Sequence, residues 1–454
     1  MSDIKEGNLQ APKREPIDWQ SADFCEKDSL YNELERVFDI CHGCRRCVSL
    51  CAAFPTLFDL VDESPTFEVD GVDKNDYMKV VDQCYLCDLC AETKCPYLPP
   101  HDWKVDFPHL MLRAKAYKFE RKDTRWRDRV ITSTDPIFNV LSTPGLAQSA
   151  NAAAKSPALR KLADKAAGIH PDAPLPTFHS KGLSKRVPDT VGAHLEVKPG
   201  SLPAGRSTTG KVAIYVTCYG EHNEPEVVED LIAVLNHNGI PVKILKDAHC
   251  CGMPKLELGD LKKVQHMKDR NLPVFLDAIE EGYDLLAPIP SCVLMYKQEL
   301  PLMFPEDEAV GRIQQAFFDP FEYLMLRQKS GLLNTDFTRT LGKVAYHVAC
   351  HQRVQNIGMK TREFLNLIPD TEVTAIERCS GHDGTYAVKS ESYDKAMKIA
   401  RPVVNRVKQA EADHYGSDCP MAGRIIQHGL VEEGSGPEHP ITLVRQAYGI
   451  GAGH

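Results

Sequence analysis

Half of the chain's sixteen cysteines stand in two short runs near the N-terminus. Each run places three cysteines three residues apart and a fourth four or five residues later. The runs are Cys41, Cys44, Cys47 and Cys51, followed by Cys84, Cys87, Cys90 and Cys95. Zinc sites usually use paired C-x2-C units, so a third cysteine in series would be surplus there, whereas it suits an iron–sulfur cluster. A disulfide scaffold needs a secreted context. We therefore predict two [4Fe–4S] clusters.

The first run has the C-x2-C-x2-C-x3-C spacing of bacterial two-cluster ferredoxins. The second run has one extra residue before its last cysteine and keeps the proline, Pro96, that follows it. In such pairs the fourth cysteine of each run binds the other cluster. This rule assigns cluster one to Cys41, Cys44, Cys47 and Cys95, and cluster two to Cys84, Cys87, Cys90 and Cys51.

Composition limits the classes of function. The chain has 454 residues, a net charge of −9 and a pI of about 6.0, which argues against nucleic acid as a partner. The N-terminus is polar and lacks the apolar segment of a secretory signal, and no run of about 18 apolar residues could span a membrane. We expect a cytoplasmic protein whose cysteines are ligands or redox groups.

The N-terminal half divides into three predicted segments: a flexible arm (1–30), a two-cluster ferredoxin-like module (31–100) that begins with a helix over Tyr31–Ile40, and a helical connector and linker (101–205). Both halves of the module are expected to bury little apolar surface, so we expect bound clusters to hold it together.

A basic helix is predicted over His109–Val130. Its basic face is either solvated or a docking surface for an acidic subunit or an anionic membrane.

From residue 206 onward, strands and helices alternate, which predicts a parallel sheet with helices on its faces. The layout occurs twice, in repeats of about 211–300 and 343–450, and a cysteine follows each predicted strand. The cysteines concerned are Cys218, Cys250, Cys251, Cys292, Cys350, Cys379 and Cys419. Ligands of such sheets bind beyond the carboxyl ends of the strands, so we expect these thiols at one edge.

Cys25 stands alone and is interpreted as structural or incidental.

Several stretches carry a resemblance: CHGCRRCVSLC, CYLCDLCAETKCP, HCCGMPKLELGD, PSC, YHVACHQR, CSGHDGTY, SDCPMAG and HPITLVRQAYG. Together they resemble heterodisulfide reductase-type iron–sulfur proteins with a duplicated CCG domain, and the C subunits of anaerobic glycerol-3-phosphate dehydrogenases. The resemblance implies an α+β / α/β multidomain fold, in which a helical two-cluster ferredoxin-like module precedes a duplicated α/β CCG domain (206–454).

The family's complete motif is one cysteine, then CCG, then C-x-x-C, and this chain departs from it. In the first copy Ile289 occupies one cysteine position, and in the second copy Ser380 and Ala422 occupy two. A five-thiolate cluster therefore cannot form, which removes support for heterodisulfide cleavage. The first copy keeps four thiolates for an ordinary cluster: Cys218, Cys250, Cys251 and Cys292. The second keeps Cys350, Cys379 and Cys419, with His347, His351 and His382 near the motifs; we take His351 as its fourth candidate. A metal-free thiol site is the alternative in both copies.

The leading hypothesis is electron transfer. The sequence has neither a G-x-G-x-x-G opening a helix after a strand nor a Walker loop, so a partner must supply or accept the reducing equivalents. The resemblance implies a flavoprotein dehydrogenase as donor and a quinone pool as acceptor, with peripheral contact at the inner face of the cell membrane. The alternatives are an oxidoreductase whose CCG half reduces a disulfide or peroxide-type substrate, and a scaffold with structural clusters. No catalytic residue is assigned.

Overall fold

The structure is a computed structural model that describes residues 12–203, 205–382, 384–430 and 436–451. The part of the chain that contains and follows the two cysteine runs forms five helices: α1 (Lys27–Cys44), α2 (Ala53–Asp62), α3 (Tyr77–Gln83), α4 (Leu89–Lys94) and α5 (Phe107–Glu120). The side chain of Glu26 caps α1 by accepting hydrogen bonds from the amides of Asp28 and Ser29 at 3.0 and 2.6 Å. Helix α1 is longer than predicted, so Cys41 and Cys44 lie in its last turn.

These helices share an apolar core. The rings of Phe54 and Phe107 lie 4.6 Å apart, and those of Phe38 and Tyr77 lie 5.2 Å apart, all of them buried. The same core continues into the second half of the chain, where it includes Phe317. The expectation that the module buries little apolar surface is therefore wrong.

The described part of the predicted arm is held against the protein from residue 12 onward, whereas residues 1–11 lie outside the described residues. Arg14 is buried and pairs with Asp88 at 2.6 Å and with Asp106 at 2.9 Å. Its third acidic neighbour, Glu299, lies 3.7 Å away in the second half of the chain. Arg14 thus ties the arm to the second cysteine run and to the CCG half.

The predicted basic helix His109–Val130 is wrong as a single exposed helix. Helix α5 ends at Glu120, and α6 begins at Trp126. Most of α5 is buried, because Leu110, Met111 and Ala114 pack into the core. Four short helices form the connector: α6 (Trp126–Ile131), α7 (Thr134–Leu141), α8 (Leu146–Lys155) and α9 (Pro157–Ala167).

The second half of the chain contains two mainly parallel sheets. In each sheet, the first strand of the corresponding repeat lies in the centre. The first sheet contains β1 (Thr190–Val191), β2 (Val212–Ile214), β3 (Val242–Ile244), β4 (Asp284–Leu286) and β5 (Phe317–Phe318), in the order β1-β3-β2-β4-β5. The second contains β6 (Gly342–His347), β7 (Thr371–Ile376) and β8 (His414–Ser417), in the order β7-β6-β8. The orders β3-β2-β4 and β7-β6-β8 are equivalent, and only β1 pairs antiparallel. The two repeats thus share one strand arrangement.

Helices connect and cover these strands. The first copy contains α10 (Thr217–His222), α11 (Pro225–His237), α12 (Met253–Leu258), α13 (Leu261–Glu280), α14 (Pro290–Leu294) and α15 (Leu300–Met303), and α16 (Glu308–Ala316) and α17 (Pro320–Lys329) lead to the second. The second contains α18 (Cys350–Arg353), α19 (Lys360–Leu365), α20 (Tyr393–Ala410), α21 (Pro420–Leu430) and α22 (Pro440–Ala447). One apolar core spans both copies. Among the described residues, no helix combines the length and apolarity needed to cross a bilayer.

Candidate functional site

The first set of N-terminal thiols gathers around Cys41. Burial raises the pKa of Cys41 well above its usual value, and the neighbouring thiols of Cys95, Cys47 and Cys44 raise it further. Cys95 comes from the second run and follows α4, whereas the other three belong to the first run. The structure therefore brings together the four residues that we predicted for cluster one.

The second set gathers around Cys90. Burial raises the pKa of Cys90, and the thiols of Cys84 and Cys87 add to this effect, followed by those of Cys47 and Cys51. Cys51 also has Cys84 as its leading charged neighbour. The four residues predicted for cluster two thus lie together, with Cys47 of the first set beside them.

Eight soft thiols in two sets fit iron–sulfur ligation. In a [4Fe–4S] cluster each of four thiolates binds a different iron, so the ligands stand further apart than those of a single ion. The part of the chain that the structure describes contains no group of three or more histidine, cysteine or acidic side chains close enough to hold one metal ion.

Four thiols of the first CCG copy also form a connected group. Cys250 interacts with Cys218 and Cys251, and Cys251 interacts with Cys292. Hydrogen bonding to the Cys218 thiol, and then to the Cys251 thiol, lowers the pKa of Cys250 well below its usual value. The amide of Gly252 also donates to the Cys250 sulfur at 3.5 Å. These are the four residues that we predicted for the first CCG site.

The backbone of this motif is held by a fully buried amide that we did not predict. The Oδ1 of Asn271, on α13, accepts from the His249 amide at 2.7 Å, and its Nδ2 donates to the carbonyls of His249 and Cys250 at 3.1 and 3.3 Å. Nδ2 also lies 2.8 Å from the Tyr296 hydroxyl. From the connector, the Asp135 carboxylate accepts from the Cys250 amide at 3.0 and 3.1 Å. Burial raises the pKa of Asp135 to about 6.

In the second copy, Cys379 is buried beside the second cysteine run. Its sulfur lies 3.5 Å from the hydroxyl of Tyr85, which directly follows Cys84 in the second cysteine run. The ring of Tyr85 lies 5.1 Å from that of Tyr386, whose hydroxyl donates to Gln83 at 2.8 Å. The cluster-two set is therefore in direct contact with the second CCG copy.

The three candidate histidines differ in their availability. Both nitrogens of His347 are engaged, with the Ser417 hydroxyl at 2.9 Å and the Arg378 carbonyl at 2.8 Å. His351 uses Nδ1 with Ser291 at 2.9 Å, and its Nε2 is buried without a hydrogen-bond partner. The Nε2 of His382 is in the same situation, and burial lowers the pKa of that ring to about 4. His351 and His382 thus each present a neutral imidazole nitrogen, whereas His347 does not.

A cavity of about 570 Å³ lies between the cysteine-bearing edges of the two copies. The first copy contributes Cys218, Cys250, Cys251 and Cys292 to its walls, and the second contributes Cys350, His351, His382 and Cys419. Apolar side chains of the connector helices and of the segment that follows them complete the enclosure: Ile131, Ile137, Phe138, Leu141 and Phe178. We did not predict this wall, although the spacing of Ile137, Phe138 and Leu141 is typical of an amphipathic helix.

Among the described residues that line this largely apolar enclosure, one carries a carboxylate. Glu257, on α12, lines the cavity close to Gly384, whose missing side chain leaves room for its carboxylate. Burial raises the pKa of Glu257 to about 7, although the charges of Lys115 and Lys389 oppose the shift. The cavity therefore contains a group able to give up a proton near neutral pH.

Comparison with known proteins agrees with this architecture. The profile of the CCG cysteine-rich domain matches residues 212–297 and 344–421. The C subunit of the anaerobic glycerol-3-phosphate dehydrogenase of Escherichia coli K12 is 28% identical over 356 residues, which are 77% of this chain and 83% of that protein.

Two further relatives match about half of this chain. The B subunit of the fumarate reductase (CoM/CoB) of Methanothermobacter marburgensis is 24% identical over 51% of this chain and 45% of its own length. Lactate utilization protein A 1 of Bacillus mycoides is 26% identical over 48% of this chain and 91% of its own. The predicted resemblance is confirmed: the chain carries two CCG cysteine-rich domains and is a homologue of iron–sulfur proteins of the heterodisulfide reductase type.

Proposed function

We propose that this chain is an iron–sulfur electron-transfer subunit that works between a partner flavoprotein dehydrogenase and an acceptor such as a quinone. Its relatives are named as subunits of a dehydrogenase and of a reductase, which supports a general redox role. The proposed cofactors are two [4Fe–4S] clusters in a ferredoxin-like module. When bound, such clusters supply one-electron transfer. The proposed location is the cytoplasm, at the inner face of the cell membrane.

The single observation that carries this proposal is the contact between the cluster-two set and the second CCG copy. Tyr85 reaches Cys379 from within the second cysteine run, and Cys51 is electrostatically close to the same Cys379. The CCG copy contacted in this way also walls the cavity, through Cys350 and Cys419. This continuity supports an electron entry point at cluster one and an exit at the cavity.

The cavity suits an apolar, two-electron acceptor. Its size lies in the range of about 300–1,000 Å³ that is common for small-molecule sites, and its polar groups are few. A quinone becomes a quinol by taking up two electrons and two protons. The two electrons would come from the flavoprotein donor. Glu257 is placed to release one proton into the cavity, and solvent would supply the second proton and reprotonate Glu257.

The CCG thiols have two proposed roles. Cys218, Cys250, Cys251 and Cys292 would hold a further iron–sulfur cluster, and Cys350, Cys379, Cys419 and His351 would hold another, with His382 as an equally placed fourth ligand. Alternatively, the connected thiols of the first copy would reduce a disulfide or peroxide-type substrate. Two of them would be oxidised to a disulfide in this step, and a partner protein would reduce that disulfide again. Their position on the cavity wall supports this second candidate.

Anaerobic purification with iron and acid-labile sulfide counts tests the cofactors. The ferredoxin-like pair alone gives about eight irons per chain, and one or two filled CCG sites give about twelve or sixteen. A colourless preparation without sulfide would falsify the proposal. Cys251→Ala then tests the CCG half: we expect it to keep the roughly eight irons of the ferredoxin-like pair and any irons of the second CCG site, but to lose those of the first CCG site and turnover with a quinone analogue. Wild-type turnover in this variant would make the first CCG site dispensable.

A further inference from the structure

Arg160 is a buried cation in the wall of the cavity. It lies on α9 and is 6% exposed, and Ala163 of the same helix lines the cavity beside it. Its Nε donates to the carbonyl of Pro171 at 2.7 Å, and its Nη2 donates to those of His170 and Ala173 at 2.7 and 2.6 Å. The loop that follows α9 therefore holds the guanidinium in one orientation.

The positive charge of Arg160 has no carboxylate partner among the described residues. Five arginines in this part of the chain are buried: Arg14, Arg127, Arg160, Arg327 and Arg445. Arg14, Arg127 and Arg445 each form an ion pair with a carboxylate, whereas the ion pairs within the described ranges do not include Arg160 or Arg327. Of these two, Arg160 lines the cavity. Buried arginines are normally paired, because an unpaired buried charge is costly, so we expect an anionic partner for Arg160.

One nitrogen of this guanidinium is still unused. Nη1 is buried, and within the described part of the chain it has no hydrogen-bond partner. Burial lowers the pKa of Arg160, and the charge of Asp172 opposes this shift. A guanidinium nevertheless keeps its proton at neutral pH, so Nη1 remains a charged donor without an acceptor. Because Arg160 belongs to the cavity wall, a molecule in the cavity is placed to supply that acceptor.

Glu257 does not neutralise Arg160. It is the one acid that lines the cavity within the described residues, and the cations that act on it are Lys115 and Lys389. The charge of Arg160 is therefore left for a ligand.

The rest of the wall indicates what kind of molecule carries the anion. The cavity measures about 570 Å³, and most of its lining is apolar, including Ile131, Phe138 and Phe178. The other arginine that lines it, Arg424, is already paired with Glu224. A space of this kind favours an apolar body, with polar recognition confined to one or a few points.

We propose that the cavity binds an apolar molecule that ends in an anionic oxygen group, a carboxylate or a phosphate monoester, and that Arg160 binds this group. The planar guanidinium matches the oxygen geometry of either head group and forms charge-assisted hydrogen bonds with it. This inference goes beyond the proposed function, because anion binding needs only Arg160 and the apolar walls.

The test is isothermal titration calorimetry of the full-length, anaerobically purified protein with decanoate and with decyl phosphate. Decan-1-ol has the same chain without a charge, and acetate has the head group without the chain. We expect saturable binding of at least one of the two long-chain anions, about tenfold or more tighter than that of decan-1-ol, because a charge-assisted hydrogen bond is added. Acetate should not bind measurably. The tighter of the two long-chain anions identifies the head group.

Two variants assign the binding to Arg160 and to the cavity. Arg160→Met should weaken anion binding about tenfold or more and leave the affinity for decan-1-ol unchanged. The matched control is Arg327→Met, which also removes a buried arginine that donates to a backbone carbonyl but lies outside the cavity wall. It should bind the anions as the wild type does. Ala163→Phe keeps the guanidinium and fills the cavity beside it, so it should weaken the binding of the anions and of decan-1-ol alike.

Equal affinities for decanoate, decyl phosphate and decan-1-ol would overturn the proposal. Wild-type anion affinity in Ala163→Phe would place the anion outside the cavity and overturn it too, and this variant decides the matter if Arg160→Met does not fold. The same loss of affinity in Arg160→Met and Arg327→Met would point to general destabilisation and contradict a specific role of Arg160. These titrations need no electron transfer. A protein that binds the anions but does not reduce a quinone analogue would contradict the proposed function and leave this inference intact.

Discussion

The hydroxyl of Tyr85 lies 3.5 Å from the Sγ of Cys379, and this contact joins two parts of the chain that are 294 residues apart in sequence. Tyr85 directly follows Cys84 in the second cysteine run, and Cys379 follows strand β7 of the second CCG copy. Both side chains are buried. The contact therefore fixes the cluster-two set against one defined CCG motif.

Removing this hydroxyl tests whether Cys379 is a cluster ligand. Hydrogen bonds to ligand sulfurs tune the reduction potential of a cluster. We expect Tyr85→Phe to keep its iron content and to shift the midpoint potential of one electron paramagnetic resonance signal, while the other signals stay in place. Redox titration of the purified protein measures this. The matched control is Tyr386→Phe, which removes a hydroxyl bonded to Gln83 rather than to a sulfur. Identical titrations for Tyr85→Phe and the wild type would contradict a cluster at Cys379.

The buried Arg14 should be a strong determinant of stability. Arg14→Ala leaves Asp88 without its cation and leaves Asp106 and Glu299 with His109 alone, and breaking a buried ion pair in this way costs about 3–5 kcal/mol. Because Asp88 lies between Cys87 and Cys90, we also expect weaker retention of iron. Urea unfolding under anaerobic conditions, followed by the visible absorbance of the clusters, measures both effects.

The comparison variant for Arg14→Ala is Arg36→Ala. Arg36 pairs with Glu33 at the surface, where the arginine side chain is 42% exposed, so its loss should cost less than about 1 kcal/mol. Similar unfolding midpoints for the two variants would mean that the buried network adds little to stability.

The spacing of the cysteines predicts sets of thiols that lie near one another in the structure, while their assignment to clusters stays a prediction. The crossed assignment of Cys51 and Cys95 depends on the ferredoxin pattern, and the structure places each beside the set expected for it. By contrast, the role of Asp135 and the connector could not be predicted. Their function arises from contacts between segments more than a hundred residues apart, as between Asp135 and Cys250, and no local pattern encodes such a pairing.

The fully buried Asn271 gives a prediction on the first CCG motif. Asn271→Leu has a similar volume but removes the acceptor of the His249 amide and the Asn271 donor of the Cys250 carbonyl, and each buried group left unsatisfied costs about 1–3 kcal/mol. The His249 carbonyl keeps its hydrogen bond from the Tyr215 hydroxyl. We expect a lower unfolding midpoint and a disordered CCG loop, with the N-terminal clusters intact. Reaction of Cys250 and Cys251 with a thiol reagent, detected by mass spectrometry, should accelerate in the variant. Unchanged labelling would show that the loop does not need this anchor.

Glu257 gives a prediction on pH dependence. Its pKa is raised to about 7 by burial, from a usual value of 4.5. The folded protein thus holds this proton more tightly than the unfolded chain, so the stabilising effect is complete below about pH 4.5 and is lost as the pH rises through about 7. Above pH 7 the wild type buries a charged carboxylate, whereas Glu257→Gln does not.

We therefore expect Glu257→Gln to be more stable than the wild type at pH 8, by up to about 3 kcal/mol, and the difference to shrink steadily towards pH 5. Urea unfolding of both proteins across this range measures the difference, in which other titrating groups cancel. A second readout is the rate of quinone reduction, which should fall in the variant because the cavity loses its proton donor. A stability difference that does not change between pH 5 and pH 8 would mean that Glu257 keeps an ordinary pKa and is not the group that supplies protons to the cavity.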